Sequence, residues 1–144
     1  MRGIKTSNPI VWDVNQAYNM LVVKTKLKKW GQVESIYNQI MKAPDANIPV
    51  ERLADVAFAK LSLEKWEEAD TLYKQVRNAC GSPIPAQILI NSAYVKGKLG
   101  EWEAADCLYT QAMEISGGDI SAEVLADIAF VKAKLKGILE ANII

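Results

Sequence analysis

Apolar residues recur at helical spacing in alternating blocks along the chain. Trp66, Ala69, Leu72, Tyr73 and Val76 fall three, three, one and three apart, the stripe of a helix with one buried face. Upstream, Leu53, Val56, Ala57 and Leu61 do the same, with the Lys60 stem on that side. All five prolines, Pro9, Pro44, Pro49, Pro83 and Pro85, fall between pairs of such blocks or before the first. Inside a helix each would remove a hydrogen bond and clash with the preceding turn. Gly81, Gly117 and Gly118 stand at equivalent breaks, where a left-handed cap is accessible. Gly31, Gly100 and Gly137 are expected at the turns within pairs. The pattern predicts helices over about 10–29 and 31–43, 48–63 and 65–79, 84–99 and 101–115, and 120–136 and 138–144.

The pairs are copies of one unit. Trp30, Trp66 and Trp102 lie 36 residues apart, each with a leucine three before (Leu27, Leu63, Leu99) and a tyrosine seven after (Tyr37, Tyr73, Tyr109). The other half also repeats: Leu53–Lys60, Leu89–Lys96 and Leu125–Lys132 match in register, and a diverged copy begins near Trp12. A period in this range marks an array in which each unit buries its face against the next. The expected fold is all-α, a right-handed α-solenoid of about three and a half helix-turn-helix repeats of 36 residues. It forms a single helical-repeat domain over 1–144, with units about 12–47, 48–83, 84–119 and a truncated 120–144. In the last, Ile138 stands where the others have tryptophan.

Half of the 144 residues are apolar and a quarter charged, as in an ordinary globular domain. No apolar run is long enough for a membrane span, and the first residues lack a signal-peptide core. The expected location is the cytoplasm or an organelle stroma or matrix, not the secretory route. There is no histidine, which removes every scheme that needs imidazole. Cys80 and Cys107 stand alone, without disulfide or zinc spacing. No cofactor, metal or catalytic set is expected. Net charge is zero, but residues 1–30 carry six basic groups against Asp13 alone, while 84–119 carry two against five acids. Such asymmetry can orient an elongated molecule between partners.

The third unit, with Ala93, Gly100, Trp102, Ala105, Tyr109 and Ala112, resembles the tetratricopeptide repeat: a small residue, a turn glycine, an aromatic, then alanine, aromatic and alanine at fixed offsets. The second unit keeps Ala57, Trp66, Ala69 and Tyr73, with Glu64 for the glycine and Val76 for the last alanine; the first keeps Trp30 and Tyr37. Ser92-Ala93-Tyr94-Val95-Lys96 also looks like the pentatricopeptide repeat. The first resemblance implies a concave face of first helices that holds protein segments. The second implies the same face reading single-stranded RNA, with Asn19, Asp55, Asn91 and Asp127 near base-reading positions.

Two polar columns run along the first helices: Asn19, Asp55, Asn91, Asp127, and Lys24, Lys60, Lys96, Lys132. Either they border the groove and bind a partner, or they solvate the surface and exchange salt bridges between units. Val22, Phe58, Tyr94 and Phe130 form a largely aromatic column beside them, read first as packing between units, the alternative being rings that stack on bases or hold an apolar peptide anchor. Lys26, Lys28 and Lys29, with Lys24, make a basic cluster that either suits an anionic contact, a peripheral membrane surface included, or simply solvates an exposed turn. Ile138, Leu139, Ile143 and Ile144 are the expected terminal cap or contact with a neighbour.

The reading that these features favour is a non-catalytic protein–protein interaction module. It would be a scaffold, an adaptor or an accessory linker subunit of a larger assembly, an organellar respiratory or photosynthetic complex being one such setting. The protein partners are then other subunits of that complex. Single-stranded RNA binding is the alternative. A sequence pI near 6.3 and few complete units weigh against it, since affinity for nucleic acid rests on neutralising phosphates.

Overall fold

The computed structural model describes residues 13–143, with the side chain of Ile143 outside that description. Trp12 and Ile144 likewise lie outside the described residues, as do Arg2 and Lys5 of the basic N-terminal segment. Seven helices follow in order among the described residues: α1 (Val14–Lys26), α2 (Trp30–Met41), α3 (Val50–Ser62), α4 (Trp66–Cys80), α5 (Ala86–Lys98), α6 (Trp102–Ser116) and α7 (Ala122–Ile143). No strand accompanies them there. They form an array of helical hairpins, an α-solenoid.

The hairpin turns share one geometry. Lys28, Glu64 and Gly100, spaced by the repeat, adopt left-handed φ of 58°, 60° and 76°. The N–H of the next residue returns to a carbonyl five back: Lys29 to Lys24, Lys65 to Lys60, Glu101 to Lys96, each at 2.9 Å. A second bond runs from the left-handed residue itself to Thr25, Leu61 or Gly97. This pair closes the carbonyls that a helix end leaves open. Only the third turn uses glycine there. Lys28 and Glu64 each carry a side chain into a conformation costing about 1–2 kcal/mol. Gly31 therefore is not a turn residue; it is the second residue of α2.

The fourth hairpin does not form. Helix α7 runs unbroken from Ala122 to Ile143, through Gly137, so the expected helices over 120–136 and 138–144 are one. A single interior glycine costs about 1 kcal/mol and does not end a helix. What closes the earlier turns is the tryptophan two residues after the left-handed position, which packs back onto the core. At the fourth turn that place holds Ile138. Without an anchor for the reversed chain, the helix keeps its own hydrogen bonds instead.

Each helix packs on its neighbours in sequence, and α1, α3, α5 and α7 also touch in succession. Among the described residues the second helices α2, α4 and α6 do not touch one another. A stack closer on one side than the other curves toward the closer side, so the first helices line the inner face. The core beneath is continuous from Ala17 and Leu21 of α1 to Val95 of α5, built on buried Val33, Ile36, Val56 and Tyr73. A smaller cluster of Ala93, Ala105, Tyr109, Ile128 and Val131 joins α5, α6 and α7.

Candidate functional site

The lysine column lies at the seams between repeats. Lys60 of α3 reaches back to Glu34 of α2 at 2.5 Å and forward to Glu68 of α4 at 2.6 Å. Lys96 of α5 reaches back to Asp70 at 3.1 Å and forward to Glu101 at 3.3 Å. Lys132 of α7 reaches back to Asp106 at 2.8 Å. Every backward bond spans 26 residues. Glu34, Asp70 and Asp106 thus form an acidic column four residues after each tryptophan. The period was visible in the sequence; the pairing across a seam was not, because it joins different repeats.

The lysines differ sharply in exposure, at 6%, 17% and 58% of the side chain for Lys60, Lys96 and Lys132. Around Lys60 a four-charge network includes Lys65, 2.6 Å from Glu34. Hydrogen bonds from Lys60 and then Lys65 hold the Glu34 carboxyl below its ordinary pKa, against the opposing pull of burial. Burial works against the Lys60 ammonium, but Glu34 and Glu68 more than offset it and its pKa lies above the ordinary value. Lys60 is committed to the array and offers no ammonium to a partner. Lys24, half-buried on α1, heads the column and pairs with no carboxylate among the described residues.

The Asn/Asp column lies on the inner first helices. Asn19 is exposed, and Asp55, Asn91 and Asp127 are half-buried. Arg52 approaches Asp55 at 3.2 Å, and Asn91 accepts from Gln87 at 2.9 Å. Burial raises the Asp55 pKa and Arg52 opposes that rise. These groups stand over the tyrosine ladder. The fully buried Tyr73 hydroxyl sits beside Asn91 without a well-formed hydrogen bond. Burial pushes this phenol far up, Asn91 eases the rise, and the Asp55 charge adds to it. Tyr109 is pushed up likewise by burial, then by Asp127 and Tyr94.

Beside this column lies a repeated aromatic clasp. Trp30 meets Phe58, Trp66 meets Tyr94 and Trp102 meets Phe130, edge to face at 5.3, 6.0 and 5.9 Å. Each pair joins a second helix to the next first helix, and such contacts are worth about 0.5–1.5 kcal/mol beyond area. The column is seam packing, as expected, yet its outer edges stay open: Phe130 is 55% exposed. Lys98 lies over Trp66 and Tyr94 at 5.7 and 5.3 Å, and Lys134 over Trp102 and Phe130 at 5.9 and 5.3 Å. The first clasp has Ser62 at this position. Between α5 and α7 a cleft of about 90 Å³ is lined by Tyr94, Lys98, Trp102, Tyr109, Asp127 and Phe130. It admits one side-chain end; sites for drug-sized ligands begin near about 300 Å³.

Lys26, Lys28 and Lys29 are exposed together at the α1–α2 turn. At the other end, Ile138 lines an open cleft with Gly100, Trp102 and Leu135, and both Ile138 and Leu139 are exposed. No helix among the described residues is long and apolar enough to cross a membrane.

Solved structures share this architecture. The tetratricopeptide domain of Sgt2 from Aspergillus fumigatus aligns over 97% of this chain and 87% of its own, with a TM-score of 0.66 and 16% identity. PcrH from Pseudomonas aeruginosa aligns over 94% and 99%, with a TM-score of 0.57 and 15% identity. PcrH in complex with the chaperone binding region of PopD aligns over 99% and 98%, at 0.60 and 15%. No protein-family profile and no curated protein sequence matches the chain. The fold is a tetratricopeptide-like helical repeat array.

Proposed function

We propose that this chain is a non-catalytic protein–protein interaction module whose inner groove holds a segment of a partner protein. The observation that carries the reading is the cleft between α5 and α7. There, half-exposed aromatic edges, the Asp127 carboxylate and the Lys98 ammonium converge in a space fitted to one side chain. Apolar walls supply affinity and the two charges orient the inserted group. Asn19, Asp55, Asn91 and Asp127 then line the groove as hydrogen-bonding contacts along an extended segment. Lys24 heads the lysine column, and Lys60, Lys96 and Lys132 hold the helices that shape the groove. Lys26, Lys28 and Lys29 form a separate anionic contact. PcrH, with the same architecture, is described in complex with the chaperone binding region of PopD, which supports a protein ligand.

The role that fits is an adaptor or accessory subunit within a larger assembly, in the cytoplasm or an organelle interior. A photo-crosslinking residue at Phe130, expressed in the native source, tests this directly. A defined protein cross-linked to the wild-type groove, and lost in a Tyr94→Ala background that folds normally, is the expected result. Cross-linked RNA, or protein capture indifferent to Tyr94→Ala, would overturn it.

A further inference from the structure

On α5 the two packing faces separate cleanly. Val95 packs in the core with residues of α4, whereas Ala93 packs with Ala105 and Tyr109 of α6. The face that each first helix turns toward its own second helix is therefore marked by Leu53 and Ala57 on α3 and by Leu89 and Ala93 on α5, all buried. On α7 the backward face is closed in the same way, with Ile128 and Val131 buried against the α6 cluster. Its forward face is not. Leu125 is 45% exposed and Ala129 is exposed, because α7 runs straight on where earlier chains turn back.

The lysine column shows the chemistry of the missing neighbour. Lys60 takes one carboxylate from the helix behind and one from the helix ahead, Glu34 and Glu68. Lys96 takes Asp70 from the helix behind and, ahead of it, Glu101, the residue that precedes α6. Lys132 has its rear carboxylate, Asp106, and no forward one among the described residues. Two of the three forward helices start acidic, with Glu67 and Glu68 in α4 and Glu103 in α6, while the first turn of α2 has no acid.

We propose that the forward face of α7 docks an amphipathic helix of a partner protein, with an acidic first turn and a stripe of small and aromatic residues. That helix lies on α7 as α4 lies on α3, completes the fourth repeat and supplies the second carboxylate to Lys132. It extends an interface between first and second helix that α1–α2, α3–α4 and α5–α6 already build. A second copy of this chain is a poor occupant. Its second helices are already buried against their own first helices, and its α7 brings Lys132, Lys134 and Lys136 where carboxylates are needed.

A fluorescent, helix-stapled peptide of residues 65–81 carries the required pattern and is the probe; anisotropy is read against the full chain. Saturable binding is expected, about tenfold weaker for Ala129→Glu. Lys132→Glu weakens it as well, and a Glu68→Lys peptide restores binding to that variant. Phe130→Ala in the groove leaves it unchanged. Circular dichroism and Tm confirm that each variant folds, since all substituted positions are exposed. No binding up to about 1 mM, binding indifferent to Ala129→Glu, or a wild-type dimer that Ala129→Glu dissociates would each overturn the proposal.

Discussion

Lys60 and Lys132 occupy the same place in the repeat and bind an acid at the same spacing, yet one is buried and the other stands in water. Lys60 has helices on both sides, two carboxylates and a second lysine around it. Among the described residues Lys132 has a helix on one side, and its pair is a surface pair. The same holds for Leu53 within the array against Leu125 at its edge, and for Ala57 against Ala129. In an array, what a residue contributes is set by how many neighbours flank its repeat as much as by its identity.

The sharpest test compares large-to-small changes. Tyr73→Ala, in the closed centre, is expected to destabilise by about 3–5 kcal/mol in urea unfolding. Phe130→Ala, at the open end, is expected to cost about 1 kcal/mol or less. Equal costs would show that the end is as tightly closed as the middle.

The ion pairs give the next largest contrast. Lys60→Ala leaves Glu34 half-buried with Lys65 alone and is expected to cost about 2 kcal/mol, short of the full penalty for orphaning a buried charge. Lys132→Ala is expected to stay within about 0.5 kcal/mol. High salt separates them further: a small Lys132 effect disappears while the Lys60 effect persists.

Alkaline pH probes the tyrosine ladder. Tyr73 and Tyr109 hold their protons well beyond the ordinary phenol value of 10.0. Above that pH the unfolded chain ionises these phenols and the folded chain does not. The folded state then binds more protons and stability falls as pH rises, by up to about 1.4 kcal/mol per pH unit for each phenol. Lys60, with its raised pKa, contributes in the same direction above its ordinary value of 10.5. The double variant Tyr73→Phe/Tyr109→Phe should flatten this alkaline slope while stability at neutral pH changes little. A slope unaltered in the double variant would place the alkaline loss elsewhere.

The turns provide the smallest effect. Glu64→Gly relieves a left-handed side chain and is expected to stabilise by about 1 kcal/mol, while Gly100→Ala is expected to destabilise by a similar amount. Thermal unfolding of both reads the sign. Matching signs would mean that the two turns do not share one geometry.

The hairpins and their order were legible because helical periodicity and prolines are local signals, and because three copies in register reinforce one another. The aromatic seams were legible for the same reason. The lysine ion pairs were open to two readings. A lysine at fixed register reads alike whether it faces a groove or a carboxylate on another helix; the acidic partners sit 26 residues away, in the preceding repeat. The final hairpin was misread because Gly137 is a local signal for a turn that needs a distant anchor. The cleft at Tyr94, Asp127 and Phe130 draws on three helices, so no single stretch of sequence announces it.

Residue order along the chain dictates the repeating unit: which residues form helices, where pairs break, and which columns recur every 36 positions. Those follow from backbone preference and from a buried stripe, both properties of a short stretch of chain. Packing in three dimensions sets which members of a column are buried, which lysine is clasped from both sides, and that α7 runs straight and leaves a face open. Burial and charge pairing depend on having a neighbour, and at the end of an array the neighbour is what the repeat pattern cannot supply.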